Sequence, residues 1–153
     1  MRAVFILLAL LALVVPSRGA DAVSGKIVKV LPFFLDQHGR DALSPSLFDR
    51  DAYQARLRQH TNLVSGMRFD VQWTARKAAD QNIKIALELR GIGTNSVPKL
   101  QTIETNVVAG RFHRWTALPL VGDDYRNFGS ILAWRVTLWN NGQLLGEQKS
   151  FLW

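Results

Sequence analysis

The sequence predicts an all-β protein: an immunoglobulin- or fibronectin-like antiparallel β-sandwich of about seven strands, with one short helix inserted between the first two. Segments rich in branched and aromatic residues recur roughly every ten residues, and turn residues separate them. Two of these segments alternate cleanly between apolar and polar residues. The last two flank an Asn-Gly pair, a strong signal for a β-hairpin. A barrel is the competing architecture.

The hairpin closes the chain. Residues 131–139 and 143–153 are its predicted strands, and Asn140-Asn141-Gly142 connects them. A two-residue Asn141-Gly142 turn and a three-residue loop with a left-handed Gly142 are both compatible with the pattern. We favour the three-residue loop, because it would pair Arg135 with Glu147 and gather the charges on one face.

The other strands are predicted from apolar segments bounded by glycine, proline and polar turns, at 25–35, 67–73, 83–90, 100–108 and 111–120. The alternation is cleanest in 67–73 and 83–90, which therefore predict half-buried strands. Trp73, on the first of these, is a candidate for the core tryptophan of the sandwich. The polar stretches between the segments predict connections, including Gly122-Asp123-Asp124 before the hairpin.

The inserted helix is predicted over Pro45–His60. Ser44 is a good N-cap residue, and proline is favoured at the first helical position. Acidic residues lie early in the segment and basic residues late, which complements the helix dipole. The apolar stripe is thin, so the helix should lie on the outside of the domain.

The N-terminus reads as an export signal. Arg2 precedes an apolar run of thirteen residues, Ala3–Val15, that Pro16 ends. The run is shorter than the ~20 residues that span a bilayer, and it fits the apolar region of a secretory signal. Small residues in Ala20-Asp21-Ala22 predict cleavage after Ala22. The chain would then comprise a signal peptide, 1–22, and one domain, 23–153, exported to the periplasm or beyond.

The composition narrows the chemistry. The chain has no cysteine, which excludes disulfides, thiol catalysis and thiolate metal sites. Removing 1–22 leaves a net charge of about +6, but the basic residues are scattered rather than clustered. Nucleic-acid binders usually concentrate their charge on one face. We therefore expect a basic surface with weak attraction to anionic envelope components and no nucleic-acid partner.

Catalytic and metal-binding patterns are not evident in the sequence. His38, His60 and His113 lack the close spacing of a metal pair, and Asp123-Asp124 lacks the alternating oxygen ligands of a calcium loop. No Gly-x-Ser-x-Gly elbow is present, and Gly91-Ile92-Gly93 lacks the third glycine of a dinucleotide loop. We therefore expect a non-enzymatic protein with no metal and no cofactor; a small hydrolase using one of the histidines is an alternative.

The five tryptophans are the best functional lead. Trp134 shares a strand face with Val136 and should be buried, whereas Trp139 lies on the opposite face. Exposed tryptophans stack on sugar rings or anchor protein partners. Trp115, Trp139 and Trp153 are therefore the candidate residues for binding a protein or a polysaccharide.

Three segments resemble small secreted bacterial proteins of unknown function with an immunoglobulin-like sandwich: Ser44–Gln54, Arg68–Trp73 and Ser150–Trp153. The resemblance covers the chain after the signal. It implies the sandwich fold and carries no activity. The leading hypothesis is thus a secreted β-sandwich that binds an envelope or extracellular macromolecule, with a carbohydrate-binding module as the alternative.

Overall fold

The computed structural model describes residues 23–76, 82–93, 95–110 and 112–153. The predicted signal peptide, 1–22, lies outside these ranges, so cleavage after Ala22 stays a prediction. The helices in the described ranges are too short or too polar to cross a bilayer.

Within the described residues, seven strands form two antiparallel sheets that pack as a sandwich. The strands are β1 Ser24–Asp36, β2 Val64–Arg76, β3 Ile83–Ile92, β4 Pro98–Val107, β5 Arg114–Val121, β6 Ser130–Asn140 and β7 Gln143–Lys149. One sheet has the order β1-β2-β5 and the other the order β4-β3-β6-β7. The predicted sandwich is confirmed, with one distinction: β4 lies beside β3, whereas constant-type immunoglobulin domains place the fourth strand beside the fifth.

The core lies between the sheets, because every second residue of β2 and β3 points inward. The largest fully buried side chains are Trp73, Phe69, Leu57, Ile83, Ile85, Leu87, Leu89, Leu118, Leu120, Leu138, Val71 and Val136. Trp73 is 1% exposed, and its indole N–H donates to Thr116 Oγ1 at 2.9 Å. Its one polar atom is therefore satisfied inside the core. Trp73 is thus the core tryptophan that the sequence predicted.

Helix α1, Leu47–Gln59, lies between β1 and β2 as predicted, but it begins two residues after Pro45. Ser46 keeps an extended backbone, and its hydroxyl accepts a hydrogen bond from the Asp49 N–H at 3.3 Å. Ser46 is therefore the N-cap, and the prediction of Ser44 for that role was wrong. The Ser44 hydroxyl instead donates to the Asp49 carboxylate at 2.6 Å.

Gln54 fastens α1 to the free edge of β1. Its amide oxygen accepts from the Phe34 N–H, and its amide nitrogen donates to the carbonyls of Phe34 and Asp41, each at 2.9 Å. The residue is 5% exposed. One side chain therefore bonds the backbone N–H and carbonyl groups at the edge of β1, which could otherwise pair with another strand.

Asp36, where β1 ends, organises the turn that follows. Its carboxylate accepts from the backbone N–H groups of His38 and Arg40, the Arg40 side chain and the Tyr53 hydroxyl, at 2.8–2.9 Å. Burial alone would raise the pKa of Asp36, but these hydrogen bonds together hold it well below its usual range. The turn and α1 are therefore joined through an ionised carboxylate.

A second helix, α2, spans Gly122–Phe128, where a connection was predicted. Gly122 and Gly129 have φ values of +63° and +86°, so glycine allows the sharp entry and exit. Asp123 and Asp124 lie in the first turn, where the helix dipole favours carboxylates, and Phe128 packs into the core at 3% exposure. The segment is too short for helical periodicity to reveal it in the sequence.

The hairpin uses a two-residue turn, so the favoured three-residue loop was wrong. Asn140 pairs with Gln143, and Asn141 and Gly142 both have positive φ, +46° and +84°. A bulge between Leu138 and Trp139 then shifts the pairing, so that Thr137 faces Glu147. The charges nevertheless share a face, because Arg135 Nη1 lies 3.7 Å from Glu147 Oε2 on the diagonal.

Strand β7 ends at Lys149, earlier than predicted, and packs against β1 from the other sheet. A Cβ on Gly146 would lie 3.0 Å from Lys26 Cα and 3.3 Å from Ile27 N. Glycine at this position therefore lets the two backbones approach and closes one edge of the sandwich.

Candidate functional site

The outer face of the four-stranded sheet carries a groove, and the strand register builds it. Strand β3 buries Ile83, Ile85, Leu87 and Leu89 and turns the alternate residues outward. Ala86 pairs with Thr137 on β6, and Lys84 pairs with Trp139. These pairings place residues from separate parts of the chain in one row across the sheet.

The groove is concave because its centre is small and its walls are large. Ala86 and Thr137 are 5% and 4% exposed, although both point away from the core. Longer side chains on the neighbouring positions stand above them and enclose a volume of about 470 Å³. The lining comprises Asn82, Lys84, Ala86, Glu88, Thr102, Glu104, Asn106, Arg135, Thr137, Trp139, Asn141 and Gly142.

The charged side chains of the groove pair with one another. Lys84 Nζ lies 2.9 Å from Glu104 Oε1, and Arg135 donates through Nε to Glu88. The hydrogen bond to Glu88 raises the pKa of Arg135, so its guanidinium stays charged. Two cations and two carboxylates balance within the lining, although the whole chain is strongly basic.

Trp139 forms one wall of the groove. Its indole Nε1 donates to Thr137 Oγ1 at 2.8 Å, which fixes the ring relative to the floor. The ring is partly buried rather than fully exposed. The amides of Asn82, Asn106 and Asn141 lie at the same end. An immobilised aromatic ring beside several amide donors and acceptors is the composition of a site for a polar ligand.

Trp153 lies on the same outer face but is engaged within the protein. The Ser150 N–H donates to the Trp134 carbonyl at 2.9 Å, and the chain then turns, because the Trp153 N–H donates to the Ser150 carbonyl at 3.2 Å. The guanidinium carbons of Arg90 and Arg135 then lie 3.9 Å and 4.9 Å from the centre of the Trp153 ring. Both distances are those of cation–π contacts. Trp153 therefore holds Arg135, a groove residue, in place.

Trp115 lies on the other sheet. It is 53% exposed on β5 and lines a separate cleft with Phe33 and Arg68. The three candidate tryptophans therefore do not form one row: Trp139 and Trp153 share a face, and Trp115 faces the opposite way. The assignment of each strand to a sheet is a long-range property that alternation within a strand does not reveal.

Trp134 was predicted to be buried. Its side chain points toward the core as expected, but it is only partly buried. Its ring packs edge-on against Phe69, with centroids 6.3 Å apart. Val136, on the same strand face, is fully buried as expected.

The histidines and the acidic pair lie apart from the groove. His38 is in the turn after β1, His60 is the C-cap residue after α1, and His113 precedes β5. Asp123 forms an ion pair with Arg126 at 2.6 Å. Among the described residues, no three histidine or acidic side chains come together as a metal site would require.

Sequence reasoning identified Trp139 but missed the groove residues around it. Lys84, Glu88 and Arg135 had a usable signal, because each takes the outward phase of a strand whose inward phase is apolar. The pairing of Lys84 with Glu104 had none, since it depends on how β3 and β4 align.

No family model and no curated protein matches the chain. A crystal structure from Akkermansia muciniphila is similar to it, with a TM-score of 0.52 and 8% identity. The match covers 84% of this chain and 70% of that one. At this identity the likeness shows a shared fold and nothing finer.

Proposed function

We propose that the protein is an exported, non-enzymatic binding module that holds a neutral polysaccharide in the groove of the four-stranded sheet. The observation that carries the proposal is the fixed Trp139 ring above a floor of Ala86 and Thr137, with amide side chains beside it.

The chemistry of the lining favours a sugar. The face of an aromatic ring attracts the polarised C–H groups of a pyranose, and amides, hydroxyls and carboxylates can bond its hydroxyl groups. The groove cations already have partners: Lys84 has Glu104, and Arg135 has Glu88. An anionic ligand would have to break these pairs, whereas a neutral one can bond to them as they are.

Export and the lack of enzymatic activity rest on the sequence. Ala3–Val15 supports a secretory signal, and no nucleophile elbow supports hydrolysis. Because the groove acids form ion pairs, neither is free to serve as the unpaired general acid that glycoside hydrolysis requires. Binding without turnover is therefore the proposed role.

Isothermal titration of the purified protein with soluble glucan and chitin oligosaccharides tests the proposal. Trp139→Ala should weaken the affinity for the binding sugar at least about tenfold, because a buried aromatic contact is typical of binding hot spots. Trp115→Ala is the matched control on the opposite sheet and should leave the affinity unchanged.

Three outcomes would overturn the proposal. One is the absence of binding across the whole panel. Another is an equal loss of sugar affinity in Trp115→Ala and Trp139→Ala, which would show that the groove is not the binding site. The third is release of new reducing ends during the titration, which would reveal a hydrolase.

A further inference from the structure

A basic surface lies on the outer face of the three-stranded sheet, opposite the groove. It forms where β1 begins, β2 ends and β5 begins. A cleft of about 390 Å³ lies there, lined by Ser24, Gly25, Lys26, Thr74, Arg76 and His113. The register explains the grouping, because Ser24 pairs with Arg76 and Lys26 pairs with Thr74.

The next row across the same sheet extends this surface. Lys29 pairs with Gln72, and Gln72 pairs with Trp115 on its other side. Lys29 is exposed, and Trp115 is 53% exposed. Basic and aromatic side chains therefore occupy adjacent rows of one exposed sheet face. We call this the basic–aromatic face: Lys26, Lys29, Arg76, His113 and Trp115.

The cations of this face differ from those of the groove. Among the described residues, no carboxylate lies within ion-pair distance of Lys26, Lys29 or Arg76. The described lining of the cleft also contains no acidic side chain. In the groove, by contrast, both Lys84 and Arg135 are neutralised. Lys26, Lys29 and Arg76 therefore form a group of cations without a carboxylate partner among the described residues, next to the exposed Trp115 ring.

We propose that the basic–aromatic face docks reversibly on an anionic lipid surface. Charge complementarity identifies the occupant, because lysine and arginine near an anionic membrane each strengthen binding roughly fivefold. The exposed Trp115 identifies it further, since tryptophan favours the interface between headgroups and acyl chains. A soluble polyanion would use the cations but would give Trp115 no apolar layer to enter. This proposal does not rest on the polysaccharide site, which lies on the other sheet.

Vesicle co-sedimentation tests the proposal directly. The purified protein should bind vesicles of phosphatidylcholine mixed with phosphatidylglycerol and should not bind phosphatidylcholine alone. Binding should weaken as salt is raised, because exposed charges are screened. The Trp115 emission should shift to shorter wavelength on binding, and Trp115→Ala should lose that shift.

A pair of charge-matched variants separates this face from general basicity. Lys26→Gln/Arg76→Gln should lower partitioning roughly 25-fold, as two charges leave the contact. Arg56→Gln/Arg58→Gln removes the same charge from the exposed end of α1 and should lower it less than about threefold. Circular dichroism confirms that both variants fold.

Several results would overturn the proposal. Equal losses of vesicle partitioning in the two double variants would show that binding depends on net charge and not on this face. Binding to dextran sulfate without binding to anionic vesicles would identify a soluble polyanion as the ligand. Absence of binding to both dextran sulfate and anionic vesicles would show that the basic–aromatic face is not a docking surface. An emission shift that persists in Trp115→Ala would show that Trp115 does not enter the membrane.

Discussion

The Gln54 side chain offers the sharpest test of how α1 is held to the sandwich. Gln54→Ala removes three hydrogen bonds of 2.9 Å and leaves the Phe34 N–H, the Phe34 carbonyl and the Asp41 carbonyl without that partner. A buried backbone group that loses its partner costs about 1–3 kcal/mol. Phe34 is only partly buried, so water can recover part of this loss. We expect the free energy of unfolding to fall by about 2–4 kcal/mol.

Gln54→Glu refines the test, because a carboxylate can accept from the Phe34 N–H but cannot donate to the two carbonyls. Burial and those carbonyl oxygens raise the folded-state pKa of the new carboxyl above its unfolded value of about 4.3. The protonated acid is therefore the better tolerated form. Stability should be closest to wild type below about pH 4 and should decline as the pH rises toward the folded-state pKa.

Urea unfolding at pH 4 and pH 8 measures both effects. Gln59→Ala, the same substitution on the exposed last residue of α1, is the control and should change stability by less than about 0.5 kcal/mol. The reasoning is refuted if Gln54→Ala costs no more than this control. It is also refuted if the difference between Gln54→Glu and Gln54→Ala does not depend on pH.

Two further predictions concern the ends of β1. Asp36→Asn should destabilise the protein at pH 7; because the folded-state pKa of Asp36 is lowered, wild type loses this advantage as the pH falls below about 3.9. Urea unfolding should show a smaller difference in free energy of unfolding between wild type and Asp36→Asn at pH 3 than at pH 7. The same difference at both pH values would contradict an ionised Asp36 in the folded protein. Gly146→Val should destabilise by about 1–3 kcal/mol, because its Cβ meets Lys26 Cα at 3.0 Å. An unchanged melting temperature would show that β7 does not pack tightly on β1.

The strands could be predicted because alternation is a local signal. In β2 and β3, apolar residues at every second position match the buried positions from Phe69 to Ala75 and from Ile83 to Leu89. The helix α1 could be predicted from its charge order, although its first residue could not. Two short serine side chains compete for the cap, and only Ser46 reaches the Asp49 N–H.

Features that depend on partners distant in sequence could not be predicted. The bulge that shifts the hairpin register brings Gly146 opposite Leu138, and Gly146 must meet β1 from the other sheet. Nothing within residues 140–149 encodes that approach except the glycine itself. The groove is similar: the phase of β6 placed Trp139 outward, but the charge balance around it requires the alignment of β4 with β3.

Trp139 and Trp115 lie on the outer faces of different sheets, so the two packed sheets set the distance between the surfaces that carry them. Sheets in a sandwich stack about 10 Å apart, and the interdigitated core leaves that spacing little freedom. A polymer lying in the groove and a membrane against the basic–aromatic face would contact opposite sides and could not compete for the same residues. The domain would then act as a rigid spacer that sets how closely the two can approach.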